Sequence, residues 1–212
     1  MRKGKRLPLE ALARYLLEVP LAPTPLDWRA VFGNDRPVEL EVGFGKGGFL
    51  VESALAHPQT NYLGVEIDRA LQLYVATRLA KRELRNVRVV QTDARLFLRD
   101  WVSTASVHAV HVYFPDPWWK KRHKKRRLFT EAFTQECVRI LQLGGRLNIA
   151  SDVEEYFAVM TGLVEATARF CPRPREPAAA VMTNFERKAR EQGREVWRGE
   201  YQRDLVRDRP LE

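Results

Sequence analysis

The 212-residue chain is 45% hydrophobic and 30% charged, which suits one globular domain with a sizeable core and excludes fibrous and disordered classes. A net charge of +9 points to an anionic partner, and no stretch has the length and apolarity of a membrane span. Two cysteines, Cys137 and Cys171, without CxxC spacing, argue against a zinc site or disulfide framework and fit a reducing, cytoplasmic setting.

In chain order, residues 1–34 read as a basic N-terminal arm (Arg2, Lys3, Lys5, Arg6) and a short amphipathic helix with Leu9, Leu12, Leu16 and Leu17 on one face. Residues 35–212 read as one domain in which strands and helices alternate. Strands are predicted at 38–42, 62–67, 87–91, 107–114 and 146–150. Helices are predicted at 49–56, 70–82, 94–101, 129–141 and 153–168, with Gly144-Gly145 ending the fourth. Such alternation predicts an α/β fold, a parallel sheet with helices on both faces, whose strand ends gather on one ligand-binding edge. "CPRPREP" at 171–177 breaks the pattern, and a charged, balanced tail follows.

"ELEVGFGKGGF" sets Glu41 at the end of the first strand, ahead of Gly43, Gly45 and Gly47. Glycines there permit a tight turn and close backbone approach to a ligand at a helix N-terminus. The spacing also fits the GxGxxG dinucleotide fingerprint, so the acids have to decide. Glu66 ends the second strand, where a carboxylate can accept ribose hydroxyls. Asp93 follows the third, where it can accept from an adenine amino group. Glu41 beside a pyrophosphate would be unfavourable, whereas beside an ammonium it is favourable. A cofactor with an adenosine, an ammonium and no phosphate, S-adenosyl-L-methionine, explains all three; an NAD enzyme is the competing reading.

"VYFPDPWWKKRHKKRR" leaves the fourth strand. Pro115 and Pro117 restrict the backbone on both sides of Asp116 and so hold its carboxylate with little freedom. Trp118 and Trp119 either stack on a base or cover the core. Every residue of 120–127 is Lys, Arg or His, a charge density that suits several phosphates.

The segment "FPDPWWKKRHKKRRL" resembles the signature of the tRNA (guanine-N7-)-methyltransferase family. "EVGFGKG", "GVEI", "TDA", "ASDVEEY" and "TNFE" resemble its other blocks, in order, from Glu39 to Tyr201. Trp119 departs from the pattern, which more often has Pro or His there. The resemblance implies a Rossmann-like class I S-adenosylmethionine-dependent methyltransferase with a mostly parallel, seven-stranded sheet whose last strands lie in the tail. It implies methyl transfer to N7 of a guanine in the tRNA variable loop. By position, it implies cofactor contacts at Glu41, Glu66, Asp93 and Asp116, and RNA contacts at Lys120, Asp152, Thr183, Asn184, Phe185 and Glu186. Arg122, His123, Lys124, Lys125, Arg126 and Arg127 become the RNA-facing segment. The expected partner is tRNA, with no membrane and no obligate protein partner, for a monomer or homodimer.

The chemistry is consistent with these residues. Guanine N7 has an exposed lone pair and no proton, so its attack on a methyl needs no obligatory base, and orientation can supply up to about 7–11 kcal/mol. The methylated purine is cationic, and Asp116 is placed to stabilise that charge. The N7 edge has to face the methyl donor, so the usual Arg fork on O6 and N7 is unavailable. Carboxylates such as Asp152 and Glu186 suit the opposite, donor-rich edge. Two alternatives remain open here: an exocyclic-amine methyltransferase, whose loop after the fourth strand "PDPW" loosely matches, and a non-catalytic RNA-binding module.

Overall fold

The computed structural model describes residues 7–118, 122, 126–174, 187, 189 and 191–204. The chain forms two compact units, Met1–Val102 and Ser103–Glu212.

In the first unit the helix Leu9–Leu12 (α1) passes through a 3-10 turn, Ala13–Tyr15, into a two-residue strand, Leu16–Leu17 (β1). The leucine spacing predicts helix through Leu17. It stops sooner, giving way to the 3-10 turn, with Leu12 and Tyr15 1% and 3% exposed. Leu16 and Leu17 instead lie parallel to Val89 and Val90, giving an open strand edge its hydrogen-bond partners. Val38–Val42 (β2), Asn61–Glu66 (β3) and Val87–Gln91 (β4) complete an all-parallel set in the order β1-β4-β3-β2. These strands are buried along most of their length, Glu39 and Glu41 of β2 included, as parallel strands covered on both faces are; Leu40, Leu63, Val65, Val87 and Val89 are fully buried.

The connecting helices are Trp28–Phe32 (α2), Gly48–Ala56 (α3), Arg69–Ala80 (α4) and Ala94–Trp101 (α5). Leu50, Val75 and Leu79 are fully buried on α3 and α4, each stabilising the unit by roughly 1.5–3 kcal/mol. Asp68 caps α4 by accepting from the amides of Ala70 and Leu71, and Asp93 caps α5 by accepting from that of Arg95. The register brings three strand ends level: Val42 pairs with Val65, and Glu66 with Gln91. Gly43 N donates to Val65 O at 2.8 Å and Thr92 N to Glu66 O at 2.9 Å. Glu41, the glycine loop, Glu66 and Asp93 therefore share one edge.

In the second unit Val107–Tyr113 (β5) runs parallel to Leu141–Ser151 (β6). Phe170–Pro172 (β7) and Trp197–Arg203 (β8) add antiparallel pairs, in the order β5-β6-β8-β7. Glu131–Ile140 (α6) and Glu154–Glu165 (α7) bring Phe133, Ile140, Tyr156, Met160 and Val164 into the core. The glycine pair does not end α6, which stops at Ile140; both glycines lie inside β6, beside an irregular register between Val107 and Ala109. Gly144 has φ +78°, and a Cβ on Gly145 would sit 2.8 Å from the Gln142 carbonyl oxygen. The pair serves a bulged strand. Tyr113 pairs with Ala150 and Phe114 N donates to Ala150 O at 2.8 Å, so Asp116 and Asp152 leave their strands at the same edge of this unit.

The fold is the Rossmann-like class I methyltransferase fold, mostly parallel as expected. The strand count is corrected: β1 to β8 make eight among the described residues, because the N-terminal leucines pair with β4. No helix of the described residues is long and apolar enough to cross a membrane.

Candidate active site

The loop after β2 is built around glycines that bend the chain and one that makes room. Gly43 and Gly45 have φ of +74° and +51°, and a Cβ on either would meet nothing within 4 Å, leaving that side of the loop open. A Cβ on Gly47 would sit 2.7 Å from Val75 Cγ1, so this glycine lets the loop pack on α4. Two further features were not singled out in the sequence. Gly64 on β3 has no room for a Cβ against Phe44 and Leu50, which explains a glycine in mid-strand. The Arg78 guanidinium, on α4, donates to the Lys46 carbonyl and ties the loop to the helix.

The three acids of this unit have different surroundings. Glu41 is 5% exposed, and its Oε2 has no hydrogen-bond partner among the described residues. Burial, and after it the Glu66 carboxylate, push the Glu41 carboxyl well above the usual carboxylate range; the Leu50 amide opposes this. A cation beside Glu41 would relieve both penalties. Glu66 accepts from Gly45 N at 3.0 Å on Oε2, and from Ile67 N at 2.8 Å and Asp68 N at 3.2 Å on Oε1. Of about four acceptor positions on a carboxylate, one on Oε2 remains for a ribose hydroxyl while the loop stays tied. Asp93, besides capping α5, pairs with Arg95 at 2.6 Å. The hydrogen bond from Arg95 holds its carboxyl below the usual range, so its charge is already engaged.

This donor set fits S-adenosylmethionine. Glu41 is a buried carboxylate whose Oε2 has no hydrogen-bond partner among the described residues, suited to an ammonium. Glu66 keeps a ribose-type acceptor, and the open glycine face lies between them on the same edge.

In the second unit, the Pro-Asp-Pro turn is bracketed by Phe114 and Trp118, with φ of +54° and +42°. Side-chain-bearing residues in that region cost roughly 1–3 kcal/mol each, and such strain clusters at functional turns. Asp116 is exposed, and its Oδ1 accepts from Trp118 N at 3.0 Å. Trp118 is half-buried with the Arg126 guanidinium 5.1 Å from its ring centroid, so one face is covered by a cation rather than left for a base. Arg127 Nε donates to Pro117 O at 2.7 Å, and its guanidinium lies 5.0 Å from the Tyr156 centroid. Arg122 is exposed. Asp152 is paired with Arg194.

Sequence reading also passed over a polar cluster beside the turn. Buried His111 places Nδ1 3.0 Å from Tyr113 Oη and 3.2 Å from Asn148 Nδ2. The signal was available, since His111 and Tyr113 are two apart on one strand and hence on one face. Lys120, His123, Lys124, Lys125, Thr183, Asn184, Phe185 and Glu186, together with Trp119, lie outside the described residues.

Known proteins resemble this chain at two levels. The family described as "Putative methyltransferase" matches residues 35–199. The tRNA (guanine-N(7)-)-methyltransferase of Rhodopirellula baltica is 38% identical over 191 residues, 83% of this chain and 69% of that protein. That of Bordetella pertussis is 41% identical over 186 residues, 84% of this chain and 72% of that protein. The enzyme of the same name from Alkalilimnicola ehrlichii is 37% identical, covering 92% and 84%. Among solved structures, the 16S rRNA methyltransferase KamB gives a TM-score of 0.60 at 14% identity, covering 84% of this chain and 93% of that one. The aminoglycoside resistance methyltransferase NpmB1 gives 0.58 at 17% identity, covering 79% and 87%. At those identities the structures speak to fold alone.

Proposed function

This chain belongs to the tRNA (guanine-N(7)-)-methyltransferase family, and from that premise we propose how its residues divide the work of moving a methyl group onto N7 of a tRNA guanine. The enzyme is an S-adenosylmethionine-dependent methyltransferase. The observation that carries the residue assignment is Glu41: a buried carboxylate, pushed up by burial, whose Oε2 has no hydrogen-bond partner among the described residues, on the edge where Glu66 and the open glycine loop also end. S-adenosylmethionine, when bound, supplies an electrophilic methyl on a sulfonium.

Glu41 binds the ammonium group. Glu66 accepts a ribose hydroxyl through the free position on Oε2 and keeps Gly45 in place through the other. Asp93 stiffens the start of α5 and takes an adenine amino group at its exposed side. Asp116 has no proton to remove, since N7 carries none. Its fixed negative charge stabilises the positive charge that develops on the purine, a term that grows toward the transition state and therefore speeds the step. Asp152 and Glu186 read the donor-rich edge of guanine. The basic segment, Lys120 to Arg126, holds phosphates and offsets the few kcal/mol, in order of magnitude, of unstacking the target base. The variable loop is the proposed position of that base. Two free cysteines among the described residues support action in a reducing cytoplasm, and the proposed enzyme is a monomer or homodimer with no obligate protein partner.

Transcripts of one tRNA, with the variable-loop guanine kept or changed to adenine, test the position. Methyl incorporation is expected on the first and not the second; equal incorporation on both would overturn the assignment of the loop.

A further inference from the structure

We propose that Arg127 is a positioning residue for Asp116 rather than a phosphate ligand: its guanidinium ties the Pro117 carbonyl to the ring of Tyr156 and so fixes the turn that presents the carboxylate. The inference rests on the role of Asp116 given above.

The turn needs such a tie. Asp116 is exposed, and the hydrogen bond to its carboxylate comes from Trp118 N, inside the same turn. Phe114 and Trp118 hold left-handed conformations on either side, and strain of that kind persists only where the surroundings over-determine it. Arg127 supplies the restraint from outside. Its Nε–H is spent on the peptide carbonyl directly after Asp116, at 2.7 Å. Its guanidinium carbon lies 5.0 Å from the Tyr156 centroid, in the range of a cation–π contact. Tyr156 is 1% exposed on α7, a helix anchored by fully buried Met160 and Val164, so the far end of the tie is set in the core. Arg126 contrasts with it: its side chain is exposed and lies over Trp118, where its charge remains open to a phosphate. Adjacent arginines of one basic run thus do different jobs. Lysine cannot replace Arg127, because an ammonium lacks both the Nε–H and the flat face.

The test uses the full chain with unmodified tRNA. Single-turnover transfer at saturating tRNA and cofactor, cofactor affinity, and the salt dependence of tRNA binding are measured for Arg127→Lys, Arg127→Met, Tyr156→Leu and the Met/Leu double variant. Each substitution is expected to slow transfer on the order of ten- to a hundredfold, with cofactor affinity and salt slope as in the parent. Lysine should not rescue the rate, and the double variant should be no slower than the slower single. Parental rate in Arg127→Lys would overturn the proposal. So would a salt slope reduced by about 0.7–0.9 in Arg127→Met, the mark of one phosphate no longer held, or fully additive losses in the double variant. If Tyr156→Leu fails to fold, Arg127→Lys decides. If the parent transfers no methyl group, the functional reading fails, and hydrogen exchange of the Trp118 amide then decides the tie. Weaker protection in Arg127→Lys supports it, and unchanged protection overturns it.

Discussion

Burying Glu41 beside Glu66 has a consequence that can be followed with pH. The folded carboxyl titrates above its unfolded value because of burial first and Glu66 second. Between those two values the native state holds a proton that the unfolded chain has released, so stability falls as pH rises across that window. Glu41→Gln should remove the fall and raise Tm at neutral pH, by about 2–4 °C for each kcal/mol relieved in a chain of this size. The same substitution should weaken cofactor binding. Binding a cation beside Glu41 favours the ionised form, so association should release a proton, and affinity should rise with pH until Glu41 is ionised in the free enzyme. Calorimetry in buffers of different ionisation enthalpy reads that release; finding none in the parent would detach Glu41 from the ammonium. The role proposed for Asp116 lies in the chemical step rather than in binding. Asp116→Asn keeps size and an acceptor oxygen but loses the charge, and should slow single-turnover transfer by about 10²-fold with tRNA affinity unchanged. Transfer at the parental rate would reduce Asp116 to a binding residue.

At the scale of elements, the glycine loop stands on three ties: Glu66 to Gly45 N, Arg78 to the Lys46 carbonyl, and the close approach of Gly47 to Val75. Glu66→Ala cuts the first and removes a ribose acceptor, and should weaken cofactor binding by about 1.5–3 kcal/mol; titration with S-adenosylmethionine checks it. Gly47→Ala forces a methyl into Val75 at a positive φ and should destabilise the fold by roughly 1–3 kcal/mol, read as a lower urea midpoint. Most of this architecture was legible, since alternating apolar runs, glycine spacing and acids at strand ends are local signals. What was not legible depended on partners far away in sequence. Leu16 and Leu17 follow a helical spacing but pair with Val89 and Val90, because edge pairing is a tertiary choice. Gly144-Gly145 look like a helix stop but sit in a bulged strand, since glycine serves both. Arg127 read as one more basic residue of its run, and only the fold shows it beside Pro117 and Tyr156.

For the whole molecule, the +9 charge is a statement about tRNA affinity and not about the chemical step. Replacing Lys120, Lys124, Lys125 and Arg126 by Ala should flatten the salt dependence of tRNA binding by about 0.7–0.9 for each phosphate that is no longer neutralised, while single-turnover transfer at saturating tRNA stays near the parental rate. An unchanged slope would leave that run as a solvated face. The chemical step itself is narrower: this chain places a methyl group on guanine N7 of tRNA. The direct measurement is incubation with labelled S-adenosylmethionine and unmodified tRNA, followed by digestion and identification of the labelled nucleoside. The expected labelled product is 7-methylguanosine. Label on an exocyclic amine of guanine or adenine, or cofactor bound without any transfer to tRNA, would contradict it.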